Sequence, residues 1–115
     1  MDDFGNLALL TPIGSTINSA VSYDTNEVLS NRIGVVKNGT LTITSNITMT
    51  NGAIIRICEN GKLIVDGGSI QNANLQLIPG CEVVLQNGGT INMANDCELN
   101  APIGAVVTIK DGEIR

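Results

Sequence analysis

The sequence predicts an all-β fold: a short, single-stranded parallel β-helix (β-solenoid) of about four coils with three short strands per coil. Three observations predict it. Apolar residues alternate with polar ones in runs of three to five that are cut by glycine corners, a shared pattern of apolar pairs recurs every 22–28 residues, and the core is aliphatic. Apolar residues make up 43% of the 115-residue chain, yet Phe4 and Tyr23 are its only aromatics. Ile, Leu and Val must therefore supply nearly all of the buried area, and side chains branched at Cβ pack well on a pleated surface while losing rotamer freedom in a helix.

The elements follow in chain order. Residues 1–14 are expected to be an N-terminal tail, ordered only if Leu7, Leu9 and Leu10 find a groove. Residues 15–115 form a single β-solenoid domain, divided into a cap (15–31) and coils (32–115). The cap stretch, "STINSAVSYDTNEVLSN", spaces Ile17, Val21, Tyr23 and Val28 like strand residues but lacks glycine corners. A solenoid needs an atypical terminal unit to cover its open end, and Tyr23 is large enough to plug it.

The coils then align on their glycine turns. Ile33 and Val35 precede a turn ending at Gly39, followed by Leu41 and Ile43. Ile55 and Ile57 precede Gly61, followed by Leu63 and Val65; Val83 and Leu85 precede Gly89, followed by Ile91 and Met93. Val107 and Ile109 precede Gly112 and Ile114, with a turn one residue shorter. A third pair closes each complete unit: Ile47 and Met49, Leu75 and Leu77, Cys97 and Leu99. On this alignment one inward file is Ile33, Ile55, Val83 and Val107, a second is Val35, Ile57, Leu85 and Ile109, and a third is Leu41, Leu63, Ile91 and Ile114.

The four Asn-Gly pairs at Asn38, Asn51, Asn60 and Asn87 would fit two-residue hairpin loops equally well. The repeat decides against hairpins, because only stacked coils have a reason to restore the same three pairs in every unit. Two corner contacts should follow. Asn38 and Asn60 are placed to form an amide ladder between rungs, and Lys37 lies one rung from Glu59, an exposed pair worth about 0–1 kcal/mol. Right-handed winding is expected from crossover chirality.

The step from Ile55 to Val83 is the longest, because "DGGSIQNAN" lies between Val65 and Leu75. Insertions in a solenoid leave as loops at a corner. Asp66, Ser69, Gln71, Asn72 and Asn74 on that segment are thus the candidate ligand or partner residues.

Composition and spacing exclude several function classes. Six Lys and Arg against eleven Asp and Glu give a net charge of −5, so no basic footprint exists to neutralise nucleic-acid phosphates or to bind an anionic membrane surface. No stretch approaches the length of about 20 apolar residues that a spanning helix needs, so membrane insertion is not expected. Cys58, Cys81 and Cys97 are odd in number, have no CxxC spacing and no histidine beside them, and read as small apolar fillers rather than metal ligands. Histidine is absent from the chain, which removes the usual base for a Ser or Cys nucleophile. Glycoside hydrolysis needs two facing carboxylates, and Asp66, Asp96 and Asp111 supply candidates, but Asp beside Gly or in a short turn is ordinary corner chemistry. The chain is therefore read as non-enzymatic, with no cofactor and no metal.

The stretch "NGTLTITSNITMTNGAIIRICENGKLIVDGGSIQNA", residues 38–73, resembles β-solenoid segments of large secreted and surface multidomain proteins of Bacteroidetes, which typically carry a G-x-L-T-I strand, then "GGKLIVDGG" and "NA". The tryptophan-glycine element that often follows in those segments is absent. The resemblance implies a structural spacer or interaction module at an extracellular or cell-surface location, with any signal peptide outside this sequence. Two other functions are open: a carbohydrate-binding module using the 66–74 loop, and a β-helical subunit that self-associates through its open C-terminal coil.

Overall fold

A computed structural model describes residues 16–30, 33–50, 52–95 and 97–115. It is a parallel β-solenoid. Among the described residues fourteen strands wind as four complete three-strand coils followed by two further strands. Coil 1 comprises β1 (Thr16–Ile17), β2 (Ala20–Tyr23) and β3 (Glu27–Ser30); coil 2 comprises β4 (Ile33–Val36), β5 (Thr40–Ile43) and β6 (Asn46–Thr50). Coil 3 comprises β7 (Ile54–Ile57), β8 (Lys62–Asp66) and β9 (Ser69–Ala73), and coil 4 comprises β10 (Leu75–Leu77), β11 (Glu82–Gln86) and β12 (Gly89–Met93). The last two strands are β13 (Val106–Ile109) and β14 (Gly112–Ile114).

Strands stack into three sheets, ordered β1-β4-β7-β10, β2-β5-β8-β11-β13 and β3-β6-β9-β12-β14. Pairing is parallel throughout, with one rung per coil. Alternation sends every second side chain inward, so like residues pile in files. In the second sheet Val21, Leu41, Leu63, Val83 and Val107 form one file and Tyr23, Ile43, Val65, Leu85 and Ile109 the next. In the third sheet Ile47, Ile70, Ile91 and Ile114 stack; in the first, Val36, Ile57 and Leu77 do. Apart from the exposed Ile109, these files meet in one continuous core, aliphatic but for Tyr23.

The expected architecture holds, but the phase of the repeat does not. The structure seats Leu75 on Ile55 and Val83 on Leu63, so the expected file running from Ile55 to Val83 is wrong by one side of the prism. Likewise Ile91 and Ile114 belong to the third sheet rather than above Leu63, and Leu75 and Leu77 belong to the first sheet rather than beside Ile47 and Met49. The second-sheet file steps by 20, 22, 20 and 24 residues, a tighter repeat than the expected one. Parity also differs in β4: Gly34 pairs with Ile55 and Val36 with Ile57. Val36 is fully buried, while Val35 faces outward beside Arg56. Because Val35 and Val36 put apolar residues on both faces of that strand, alternation alone could not choose between them.

The segment expected to cap the solenoid is wound as its first coil, in register with the second. Tyr23 is buried there, over Ile43. The expected tail, 1–14, lies outside the described residues. The two ends differ sharply: Ile17, Tyr23 and Leu29 of coil 1 are 1–4% exposed, whereas Ile109, at the far end of Tyr23's file, is 51% exposed.

Corners are set by residues that accept positive φ. Asn38 (56°) and Asn60 (60°) hold equivalent positions, continued by Gly80 (95°) and Gly104 (97°). The expected amide ladder is present, with Asn60 Nδ2 donating to Asn38 Oδ1 at 3.3 Å. The expected pairing of Lys37 with Glu59 is not among the ion pairs of the described residues; Lys62 and Glu82, in register on β8 and β11, form one instead at 3.6 Å. Arg115 pairs with Glu113 at the last strand.

Candidate functional site

The five residues expected on an exposed loop do not share one: Asp66 ends β8, Ser69, Gln71 and Asn72 lie within β9, and Asn74 links β9 to β10. Ser69 to Ala73 form β9, paired on both sides by β6 and β12. Most of their polar groups serve the rungs. Asp66, at the end of β8, accepts from Asn87 Nδ2 at 2.6 Å. Ser69 Oγ donates to Asn46 Oδ1 at 2.7 Å, and Gln71 Oε1 accepts from Asn92 Nδ2 at 2.8 Å. Asn72 has φ 57° and donates from Nδ2 to the Met49 carbonyl at 2.8 Å. It is the extra residue of a bulge, since Ile91 pairs with Ile70 but Met93 with Ala73. Asp66 and Asn74 are separated by a glycine corner and the whole of β9, whose five extended residues alone span about 16 Å, so the five do not converge on one site.

Two of them do border open space. Asn74 lines a shallow cleft of about 380 Å³ together with Leu75, Gln76, Leu77, Cys97, Glu98 and Asn100. Asn72 and Asn74 also line an adjoining cleft of about 290 Å³ with Thr50, Gly52, Ala53, Ala94, Asn95 and Cys97. Asn74 and Cys97 are common to both, so the clefts form one polar, amide-rich depression at the corner between the third and first sheets. Sequence reasoning missed Gln76, Asn95, Glu98 and Asn100. A signal existed, because the last step of the second-sheet file is the longest, and the extra residues fall between Ala94 and Gly104.

The carboxylates considered for catalysis are dispersed. Asp66 and Asp111 share a corner two rungs apart, about 10 Å by rung spacing, with Asn87 on the rung between them bonded to Asp66. The Asp111 carbonyl accepts from Gly88 N–H at 3.0 Å. Asp96 lies outside the described residues. Among the described residues no cluster of three or more His, Cys, Asp and Glu could hold a metal ion, and no helix is long and apolar enough to cross a membrane. All three cysteines are free thiols. Cys81 is buried, and burial is the main cause that pushes its thiol above the ordinary range.

The fold and its surface thus define a parallel β-solenoid with a polar corner cleft. No family model, curated protein or solved structure matches the chain.

Proposed function

We propose that this module is a non-catalytic structural spacer and interaction unit of an exported cell-envelope protein, of the kind seen in secreted and surface multidomain proteins of Bacteroidetes. One observation carries the spacer reading: the rungs run without interruption through the second and third sheets from coil 1 to the last strands. Residues in the interior of those files are clamped by neighbours above and below, so bending the stack means breaking several rung hydrogen bonds and opening a close-packed aliphatic core at once. Such a body transmits position along its axis, which is what a spacer does. The resemblance of residues 38–73 to solenoid segments of surface proteins supports the extracellular setting.

Rigidity is directly measurable. Spin labels on cysteines placed at Asp24 and Asp111, with the three native cysteines replaced, sit on one corner four rungs apart, about 19 Å by rung spacing. Electron–electron dipolar spectroscopy is expected to give one narrow distance distribution. A broad or multimodal one would sink the spacer reading, and recovery of the native protein in the cytosolic fraction of its host would sink the export reading.

A further inference from the structure

The first sheet is one strand shorter than the other two, and among the described residues no strand pairs with the free side of its last strand, β10. Two rung hydrogen bonds anchor the chain's passage over it: Ala94 N–H donates to the Ala73 carbonyl at 2.9 Å, and Gly80 N–H donates to the Gly104 carbonyl at 2.8 Å. On the lower rung the path from Ala73 to Gly80 is seven residues; on the upper rung the path from Ala94 to Gly104 is ten. Strands paired in register must cover equal distances with equal numbers of residues, so three residues are in excess. Pro102 matches Ile78 of the lower rung, because Ala105 N–H donates to the Pro102 carbonyl as Cys81 N–H does to that of Ile78. The excess therefore lies between Ala94 and Pro102, and Pro102 itself has no N–H to give to a ladder. Residues 97–101 therefore leave the register of β10 as a strap, held down by Leu99, which packs against the core, and Ile103 in the corner turn that follows is 99% exposed.

Beneath the strap lies an unused sheet edge. Ile55 N–H donates to the Asn74 carbonyl at 3.0 Å, and Ile78 N–H donates to the Ile57 carbonyl at 2.9 Å. Backbone groups alternate sides along a strand, so those of Asn74, Gln76 and Ile78 turn toward β7, and the N–H and C=O groups of Leu75 and Leu77 turn toward the strap. Among the described residues no backbone hydrogen bond joins Leu75 or Leu77 to residues 97–100. The 380 Å³ cleft occupies that interval.

We propose that this edge is a strand-addition site: an extended peptide segment bearing a central basic side chain lies along β10 beneath the strap. The spacing of donors and acceptors on Leu75 and Leu77 matches an extended backbone. A parallel segment would place its central residue over Gln76, its N–H donating to the Leu75 carbonyl and its carbonyl accepting from Leu77 N–H. The outward file it joins already stacks Arg56 on Gln76, with Arg56 Nε donating to Gln76 Oε1 at 2.8 Å. Glu98 is the charged residue lining the cleft, in a chain of net charge −5, which favours a cation at that central position. Amides of Asn74 and Asn100 border the groove. The proposal stands on the edge geometry and does not depend on export.

The test uses the 115-residue chain, ¹⁵N-labelled, with acetyl-Thr-Val-Arg-Val-Thr-amide as the probe at concentrations up to about 1 mM, a weak-affinity regime. The expected result is that the amides of Leu75 and Leu77 shift and exchange about tenfold more slowly with solvent. The same peptide N-methylated at its arginine has lost the donor to the Leu75 carbonyl and is expected to leave both amides unchanged. Glu98→Gln is expected to weaken binding by about two- to fivefold, as for an exposed ion pair. Deleting Leu99–Ala101 removes three residues from the excess and leaves the Pro102–Ala105 corner turn in place; it is expected to slow exchange at Leu75 and Leu77 without any peptide and to abolish binding, with the circular dichroism of the solenoid retained. Unchanged Leu75 and Leu77 amides overturn the proposal. So does equal binding by the N-methylated peptide, protection that appears on Val106–Ile109 instead, or a response to maltopentaose in place of the peptide.

Discussion

Gly88 and Gly89 are adjacent, yet they are glycine for different reasons, and separating the two tests how tightly the coils are stacked. Gly88 has φ +81°, and a Cβ added there would meet nothing within 4 Å. Gly88→Ala therefore carries only the cost of a left-handed backbone, about 1 kcal/mol. Gly89 lies outside the left-handed region, but a Cβ added there would sit 2.1 Å from the Val65 carbonyl oxygen of the rung below. Relief requires a movement of about 1 Å between two backbones, on the order of the strain seen when cores are overpacked. Neither can yield easily, because β8 is held by β5 on one side and β11 on the other. Overpacking of about 1–3 kcal/mol and one or two weakened rung hydrogen bonds at about 1 kcal/mol each put Gly89→Ala near 3 kcal/mol. With a urea m-value of about 2 kcal/mol/M, the midpoints of the two variants should differ by about 1 M. Equal midpoints, or a less stable Gly88→Ala, would refute the claim that rung spacing rather than backbone conformation demands glycine at position 89.

Three further outcomes follow from the same geometry. Val36→Asp buries a carboxylate among Ile57 and its neighbours and should leave the chain unfolded by circular dichroism, whereas Val35→Thr, on the outward face, should change stability by less than about 1 kcal/mol; the reverse order would restore the parity expected from sequence. Cys81 should react with a thiol reagent more slowly than Cys58 or Cys97 at mildly alkaline pH, because burial keeps it protonated. The native state then holds a proton that the unfolded chain gives up, so urea midpoints should stay level below the ordinary thiol value of 9.0 and fall as pH rises above it, a decline that Cys81→Ala removes. At the open end, light scattering should show an average mass rising above 12.0 kDa with concentration, and Ile109→Lys should return it to the monomer value; a monomer at every concentration removes self-association through that end.

Much of the fold was legible because a solenoid repeats its grammar. The inward pairs Leu41 and Ile43, Leu63 and Val65, and Val83 and Leu85 were each identified as core, and each is buried. The Asn38–Asn60 ladder was also readable, since both residues precede a glycine at matching points of adjacent coils. What the sequence did not mark was which side of the prism each pair belongs to. All three sides use two aliphatic residues at i and i+2, and the corners between them have similar lengths and similar residues. Aligning on glycines alone therefore moved Val83 from the second side to the first.

That one slip also displaced the candidate site. With Val83 placed over Ile55, the count between them exceeded a coil and "DGGSIQNAN" had to be surplus, so a strand was taken for a loop. The bulge at Asn72 strengthened the impression, because its φ of 57° shifts the alternation between Ile70 and Ala73 and hides β9 from a period-two reading. With the register corrected, the surplus reappears one coil later, between two rung hydrogen bonds that fix its ends. There the excess has a physical consequence that a free corner loop would not have. Three residues too many over β10 force the backbone off the edge it would otherwise pair with, and the donors and acceptors of Leu75 and Leu77 are left facing a cleft. A length mismatch between rungs, countable from the sequence once the register is known, is thus what creates the polar cleft in an otherwise self-satisfied stack.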